Sequence, residues 1–259
     1  MNEVLSQLHA RKSVRAFLDK PVPPEVKRAV LEAACAAPTA GNQQLYTILD
    51  ITDQAVKDTL ADTCDHQPFI ARAPMVLIFC ADCRKWYDAF AAGGCDPRAL
   101  GPGDLWLALS DANIAAQNAV TAAWSLGLGS CYIGDILENA ETHRALLRLP
   151  ELVVPAAMLV FGYPTEQQLA REKPARCALA HIVHENAYRP MDAAQLEAML
   201  AHKAGERPYP DWLSAFCRRK YNSEFSREMT RSAGVYLTPF QQRAEGVGTG
   251  SLKKDGRFE

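Results

Sequence analysis

Apolar positions in this chain recur with two periods, and the switch between them marks out the elements. After Pro24, which sits where a helix needs no N–H donor, Val26, Ala29, Val30, Ala33, Ala34 and Ala37 recur at helical spacing until Pro38 stops the run. Leu45 to Ile51 reads as a strand, and Thr52-Asp53 then opens an amphipathic helix through Val56, Leu60 and Ala61. Met75 to Cys80 is too short for a globular helix and too apolar for a surface strand. It is predicted as a central strand buried on both faces, which implies a sheet covered on both sides. Asp104 to Leu126 is the longest helical stretch and has the length of a bilayer span. Ser110, Asp111, Asn113, Gln117 and Asn118 recur inside it, a polar row too costly for lipid, so the spacing predicts the buried central helix of a soluble core. Val153 to Phe161 supplies a further strand. From Met191 onward the pattern is helical but thinner in apolar residues, as in an accessory segment, and Gly246 to Lys254 reads as disordered.

With 48% hydrophobic residues among 259, the chain can bury a substantial core as one large domain or two small ones. Its net charge of -2 gives no global field to recruit nucleic acid or an anionic membrane, so an anion site must be local. The expected partner is a small molecule or a second copy of the chain. The segment Met1 to Leu5 lacks the basic flank and long apolar core of a signal peptide, and a cytoplasmic location is expected. The eight cysteines are scattered, several inside apolar runs, and read as reduced core thiols without a structural disulfide.

Four stretches carry candidate chemistry. Arg11-Lys12-Ser13-Val14-Arg15 places three cations and a hydroxyl in five residues. Arginine forks match phosphate oxygens bidentately, so the run suits an anion holder, although a solvated basic turn has the same composition. Pro38 to Gln44 is a turn dense in amides and hydroxyls, able to fringe a polar heterocycle or merely to connect helix and strand. Gly127 to Asp135 holds three glycines, which serve either close approach to a ligand or ordinary capping. Cys80-Ala81-Asp82-Cys83, with Cys64 and His66 upstream, offers a zinc or dithiol site, but no well-spaced second pair accompanies it. His143, His181 and His202 read as ordinary histidines.

In order and spacing, Arg11-Lys12-Ser13-Val14-Arg15-x-Phe17, the Pro38 to Gln43 loop and Gly127-Leu128-Gly129-x-x-Tyr132-Ile133-Gly134 resemble the nitroreductase family of flavin mononucleotide (FMN) enzymes. Ile51-Thr52-Asp53, Phe79 to Asp82 and Val183-His184-Glu185-Asn186-x-Tyr188 are similar to its NADPH-preferring branch. The resemblance implies an α+β fold, a three-layer sandwich with a central, mainly antiparallel sheet flanked by helices, in an interlocked homodimer. It implies a core over residues 1–190 and a helical extension over 191–259. Arg11, Lys12, Ser13, Val14 and Arg15 would hold the FMN phosphate and ribityl chain; Thr39, Gln44 and Gln67 would fringe the ring; Tyr132, Ile133, Gly134 and Asp135 would line its other side. Lys173 and Arg176 resemble a Lys-Pro-Arg phosphate motif into which Ala175 is inserted. Arg231 and Arg207 look like arginines that receive the extra phosphate of NADPH. The implied activity is ping-pong transfer of two electrons from NADPH to nitroaromatics, quinones or free flavin, with no side chain as obligatory acid, base or nucleophile. Two other readings stand beside it: a flavin-binding or sequestering protein without catalysis, and a zinc or dithiol protein built on Cys80 and Cys83.

Overall fold

The computed structural model describes residues 1–246, and the chain forms two compact units, one of residues 1–169 and 229 onward, the other of residues 170–228. The first unit runs α1 (Glu3–Ala10), α2 (Pro24–Cys35), β1 (Tyr46–Asp50), α3 (Gln54–Thr63), α4 (Pro68–Arg72), β2 (Met75–Asp82), α5 (Arg84–Ala92), α6 (Pro102–Ser125), β3 (Gly129–Ile133), α7 (Ala140–Leu146) and β4 (Val153–Gly162). A short α8 (Glu166–Ala170) follows. The second unit holds α9 (Ala193–Leu200) and α10 (Tyr209–Lys220), and α11 (Glu224–Gly246) returns to the first. Within the second unit, Asp192 and Gln195 cap α9 reciprocally, and the rings of Tyr209, Trp212 and Phe216 pack in a row along one side of α10. Apart from Gly246, the stretch predicted as disordered lies outside the described residues.

The four strands are antiparallel in the order β1-β2-β4-β3. Every residue of β2 is buried, as its apolar run predicts. Strand side chains alternate, so β2 and β4 feed two cores. Leu77, Phe79, Leu159 and Phe161 face α2 and α6, whereas Val76, Ile78, Met158 and Val160 face α3 and α4. That arrangement is the three-layer sandwich. A register shift between Phe79 and Cys80 sets Pro155 where β4 departs from regular pairing, a position that tolerates its missing N–H.

Two expectations are corrected. The central helix is not buried all round: Ala108, Ala112, Ala115 and Ala119 bring one face of α6 against its neighbours, but Trp106 on another is 69 % exposed. β3 also went unpredicted, because Gly129-Ser130-Cys131-Tyr132-Ile133 lacks the apolar alternation that signals a strand. Its pairing comes from β4 on one side and an N-terminal segment on the other.

His143 is fully buried between α7, α3 and the turn after β3. Its Nδ1–H donates to the Ile136 carbonyl at 3.0 Å, leaving Nε2 to accept from the Thr63 hydroxyl at 2.9 Å. Burial holds its pKa below the ordinary 6.5, outweighing the carbonyls of Ile136 and Glu138. An unfolded chain therefore takes up a proton that the folded chain refuses. Its contribution to stability should be complete above about pH 6.5 and decline as pH falls below that value. Melting curves across this range should show the decline, and His143→Gln should flatten it.

Candidate functional site

Residues 11–15 lie extended along the free edge of β3, where the Val14 N–H donates to the Ser130 carbonyl at 2.9 Å and Ser13 bridges Ser130 in parallel. Val14 is fully buried against Gly129, where an added Cβ would sit 2.6 Å from Val14 Cγ2. Alternation then turns Ser13 and Arg15 to the side opposite Val14. Arg15 and Ser13 reach the Cys131 thiol, and the charge of Arg11 acts on it as well. Burial raises that thiol's pKa and outweighs the lowering by Arg15, Ser13 and Arg11. Among the described residues no carboxylate pairs with Arg11 or Arg15. Arg15 beside a hydroxyl, with the charge of Arg11 acting on the same place and neither guanidinium carrying a carboxylate of its own, fits a phosphate. Lys12 differs, since its ammonium donates to the Leu169 carbonyl, while the Arg15 backbone N–H donates to Gln168 Oε1 at 3.2 Å.

Thr39 and Gln44 are organised by a residue that the sequence reading took only as part of a polar row. Asp111, on α6 and 3 % exposed, accepts the Thr39 hydroxyl, the Ala40 N–H at 3.0 Å and the Leu45 N–H at 3.2 Å. Thr39 Oγ1 in turn accepts the Gln44 N–H at 2.8 Å. The loop needs such a clamp because Gly41, Asn42 and Gln44 all have φ between 50° and 56°. For non-glycine residues such conformations cost about 1 kcal/mol or more each. A single carboxylate among the small buried residues of α6 was the available signal.

Gln67 follows two left-handed residues, Asp65 and His66. Its Nε2 donates to the Cys64 carbonyl at 2.8 Å and to Asp135 Oδ2 at 3.2 Å, which joins Gln67 to the segment after β3. Tyr132 is 38 % exposed, and its hydroxyl donates to Gln117 Oε1 at 3.4 Å. Burial pushes the phenol up to about 12 against the lowering by Arg11. Ile133 is buried in the core. Apart from Lys173, Arg176, Arg207 and Arg231, the predicted residues thus gather in two groups, one along β3 and one around Asp111, with α6 touching both.

The three glycines have three roles. Gly127, at φ 80°, ends α6: its N–H donates to the Trp124 carbonyl and that of Leu128 to Ala123. Gly129 admits Val14. Gly127 and Gly134 both have open space where a Cβ would stand, but Gly127 is accounted for by its positive φ at the helix end, which leaves Gly134 as the glycine whose open backbone suits the approach of a ligand.

Arg231, on α11, donates to both carboxylate oxygens of Glu141, at 2.9 and 2.8 Å. Lys173 and Arg176 lie in the second unit ahead of α9, and Arg207 lies between α9 and α10, with Arg176 and Arg207 exposed. Cys80 and Cys83 are both buried, but in different cores, and burial pushes each thiol up to about 12. They present neither a shared ligand geometry nor a ready thiolate. Cys64 is buried whereas His66 is exposed and paired with Asp62. Among the described residues no group of three or more His, Cys, Asp or Glu could hold a metal ion, and no helix is long and apolar enough to cross a membrane.

The family model described as the nitroreductase family matches residues 8–163. The oxygen-insensitive NADPH nitroreductase of Salmonella typhimurium is 34% identical over 194 residues, covering 74% of this chain and 77% of the relative. The FMN reductase (NAD(P)H) of Bacillus subtilis is 29% identical over 238 residues, 91% of each chain. Among solved structures, NADPH:FMN oxidoreductase from Vibrio harveyi complexed with NAD+ superposes with a TM-score of 0.71 at 25% identity, covering 93% of this chain and 99% of that one.

Proposed function

This chain belongs to the nitroreductase family, and on that premise we propose that it is an FMN-dependent oxidoreductase carrying two electrons from NADPH to a small planar acceptor such as a nitroaromatic, a quinone or free flavin. The observation that carries this reading is the seating of residues 11–15 along β3, which sets Ser13 and Arg15 at the Cys131 thiol with the charge of Arg11 acting on the same group. Neither guanidinium has a carboxylate partner among the described residues. Bound FMN supplies the hydride-accepting ring, which NADPH and the acceptor would use in turn, as in a ping-pong scheme.

The side chains bind and orient. Arg11 and Arg15 take the phosphate with Ser13, and Val14 fixes them by anchoring the segment to Gly129. Gln67 spends both amide N–H groups on the protein, so its Oε1 is the atom left to accept from a ring N–H. Thr39 has its hydroxyl committed in both directions and contributes a fixed loop wall beside Gln44 rather than a free donor. Gly134 offers open backbone beside Asp135. Lys12, Ile133 and Tyr132 shape the platform. The assignments of Lys173, Arg176 and Arg207 rest on the resemblance alone.

Arg231 is assigned to the extra phosphate of NADPH. Its pair with Glu141 is half exposed on both sides, so breaking it costs little, and a phosphate can replace the carboxylate. Arg231→Ala should raise the KM for NADPH about tenfold and leave NADH unchanged, a ratio read directly from steady-state kinetics. An unaltered NADPH to NADH ratio would remove the assignment.

We further propose a homodimer. Trp106, Leu107 and Ile114 on α6 and Val4, Leu5 and Leu8 on the adjoining α1 are all more than 40 % exposed, an apolar area that a second copy would cover. The free thiols suit a cytoplasmic setting.

Anaerobic addition of NADPH to the yellow protein tests the reading. An enzyme loses its visible flavin absorption within turnover time and regains it on addition of a nitroaromatic or quinone. The pairing of Arg231 with Glu141 favours one rival, a flavin holder that does not use NADPH, and persistent colour would establish it.

A further inference from the structure

A cavity of about 620 Å³ opens between residues 17–21 and the segment running from α3 to the end of α4. Phe17, Leu18, Pro21 and Pro74 form its apolar wall, and its charged groups are Lys20, Lys57 and Arg72 against the carboxylate of Asp19. The wall is closely packed: the Phe17 ring and Pro74 lie against Gly162, where a Cβ would meet both at 2.8 Å. Lys57 is only 9 % exposed, and its ammonium donates one hydrogen bond, to the Ala73 carbonyl at 2.9 Å. An ammonium has three donors, so two are left on a side chain that lines the cavity. Burial lowers the Lys57 pKa more than Asp50 raises it, and Asp50 is itself paired with Lys27. The cation is therefore poorly compensated. Arg72 is exposed and has no carboxylate partner among the described residues, and the Lys20 ammonium rests 4.0 Å over the Tyr163 ring. None of Arg11, Ser13 and Arg15 lines this space.

We propose that this cavity is a second binding site, for an organic phosphate or carboxylate with a small apolar body. The anion would lie between Lys57 and Arg72, completing the hydrogen bonds of a buried ammonium, while the body packs on Phe17 and Pro21. Its volume falls in the range of small-molecule sites. Three cations against one carboxylate select for negative charge, and the apolar wall favours an organic ligand over inorganic phosphate.

Calorimetric titration of the FMN-loaded protein with phenyl phosphate and, separately, benzoate tests this, because the flavin then occupies the other cationic site. At least one probe should bind saturably, one per chain, with a Kd below about 1 mM. Lys57→Met and Arg72→Ala should each weaken that binding about tenfold. Lys57 is buried and its variant can fail to fold, so the exposed Arg72 carries the decision. The probe that binds more tightly assigns the site to phosphates or to carboxylates. Absence of binding by both probes, or binding that Arg72→Ala and Lys20→Ala leave unchanged, would overturn the proposal.

Discussion

Gly129→Ala is expected to lower the melting temperature by roughly 5 °C and to release bound flavin. The new Cβ would stand 2.6 Å from Val14 Cγ2 and 2.7 Å from Val14 Cβ, far inside contact distance. Val14 cannot swing away, because its own N–H is tied to Ser130 at 2.9 Å. Overpacking of this kind costs about 1–3 kcal/mol, and the cheapest relief is to lift the extended segment off β3. Lifting it carries Ser13 and Arg15 with it, so the stability loss and the loss of flavin should appear together. Thermal melts with and without added FMN measure both. A variant that retains flavin through dialysis would show that the segment's seat on β3 does not set the phosphate site.

Asp111→Ala should be more damaging to stability, by about 3 kcal/mol, because it leaves the Thr39 hydroxyl and the Ala40 and Leu45 N–H groups without their acceptor. Asp111→Asn should fall between, since its amide oxygen still accepts but its NH2 now faces donors. The left-handed residues Gly41, Asn42 and Gln44 lose their clamp in both variants, so the loop should become the first site of limited proteolysis. Urea midpoints and cleavage mapping provide the check. If Asp111→Ala unfolds at the wild-type midpoint, the carboxylate does not hold the loop.

These two residues also show where sequence reading stops. The strands at Tyr46, Met75 and Val153 and the long helix around Ala112 were legible because burial imposes a period, and a period survives in one dimension. The cationic run was legible as charge. Its seat on β3 was not, because a parallel bridge between Ser13 and Ser130 joins positions far apart in sequence, and neither residue announces the other. Asp111 hid for a similar reason. A polar residue on a helix reads as surface until the three donors converging on it are seen, and those belong to a loop about seventy positions earlier. The glycines read as one cluster, although Gly127 ends a helix, Gly129 admits a valine and Gly134 leaves the backbone open without a capping role. Of the two cysteines at the end of β2, spacing gave only their proximity; their placement in separate cores came from the fold.

The most direct measurement compares the affinities of FMN and riboflavin, which differ only by the phosphate, for the wild-type protein and for Arg11→Ala and Arg15→Ala. If the run at residues 11–15 grips the phosphate, FMN should bind at least about a hundredfold tighter than riboflavin, and each substitution should erase most of that difference while leaving riboflavin affinity nearly unchanged. Equal affinity for the two ligands in the wild-type protein, or a preference for FMN that survives both substitutions, would contradict the phosphate site.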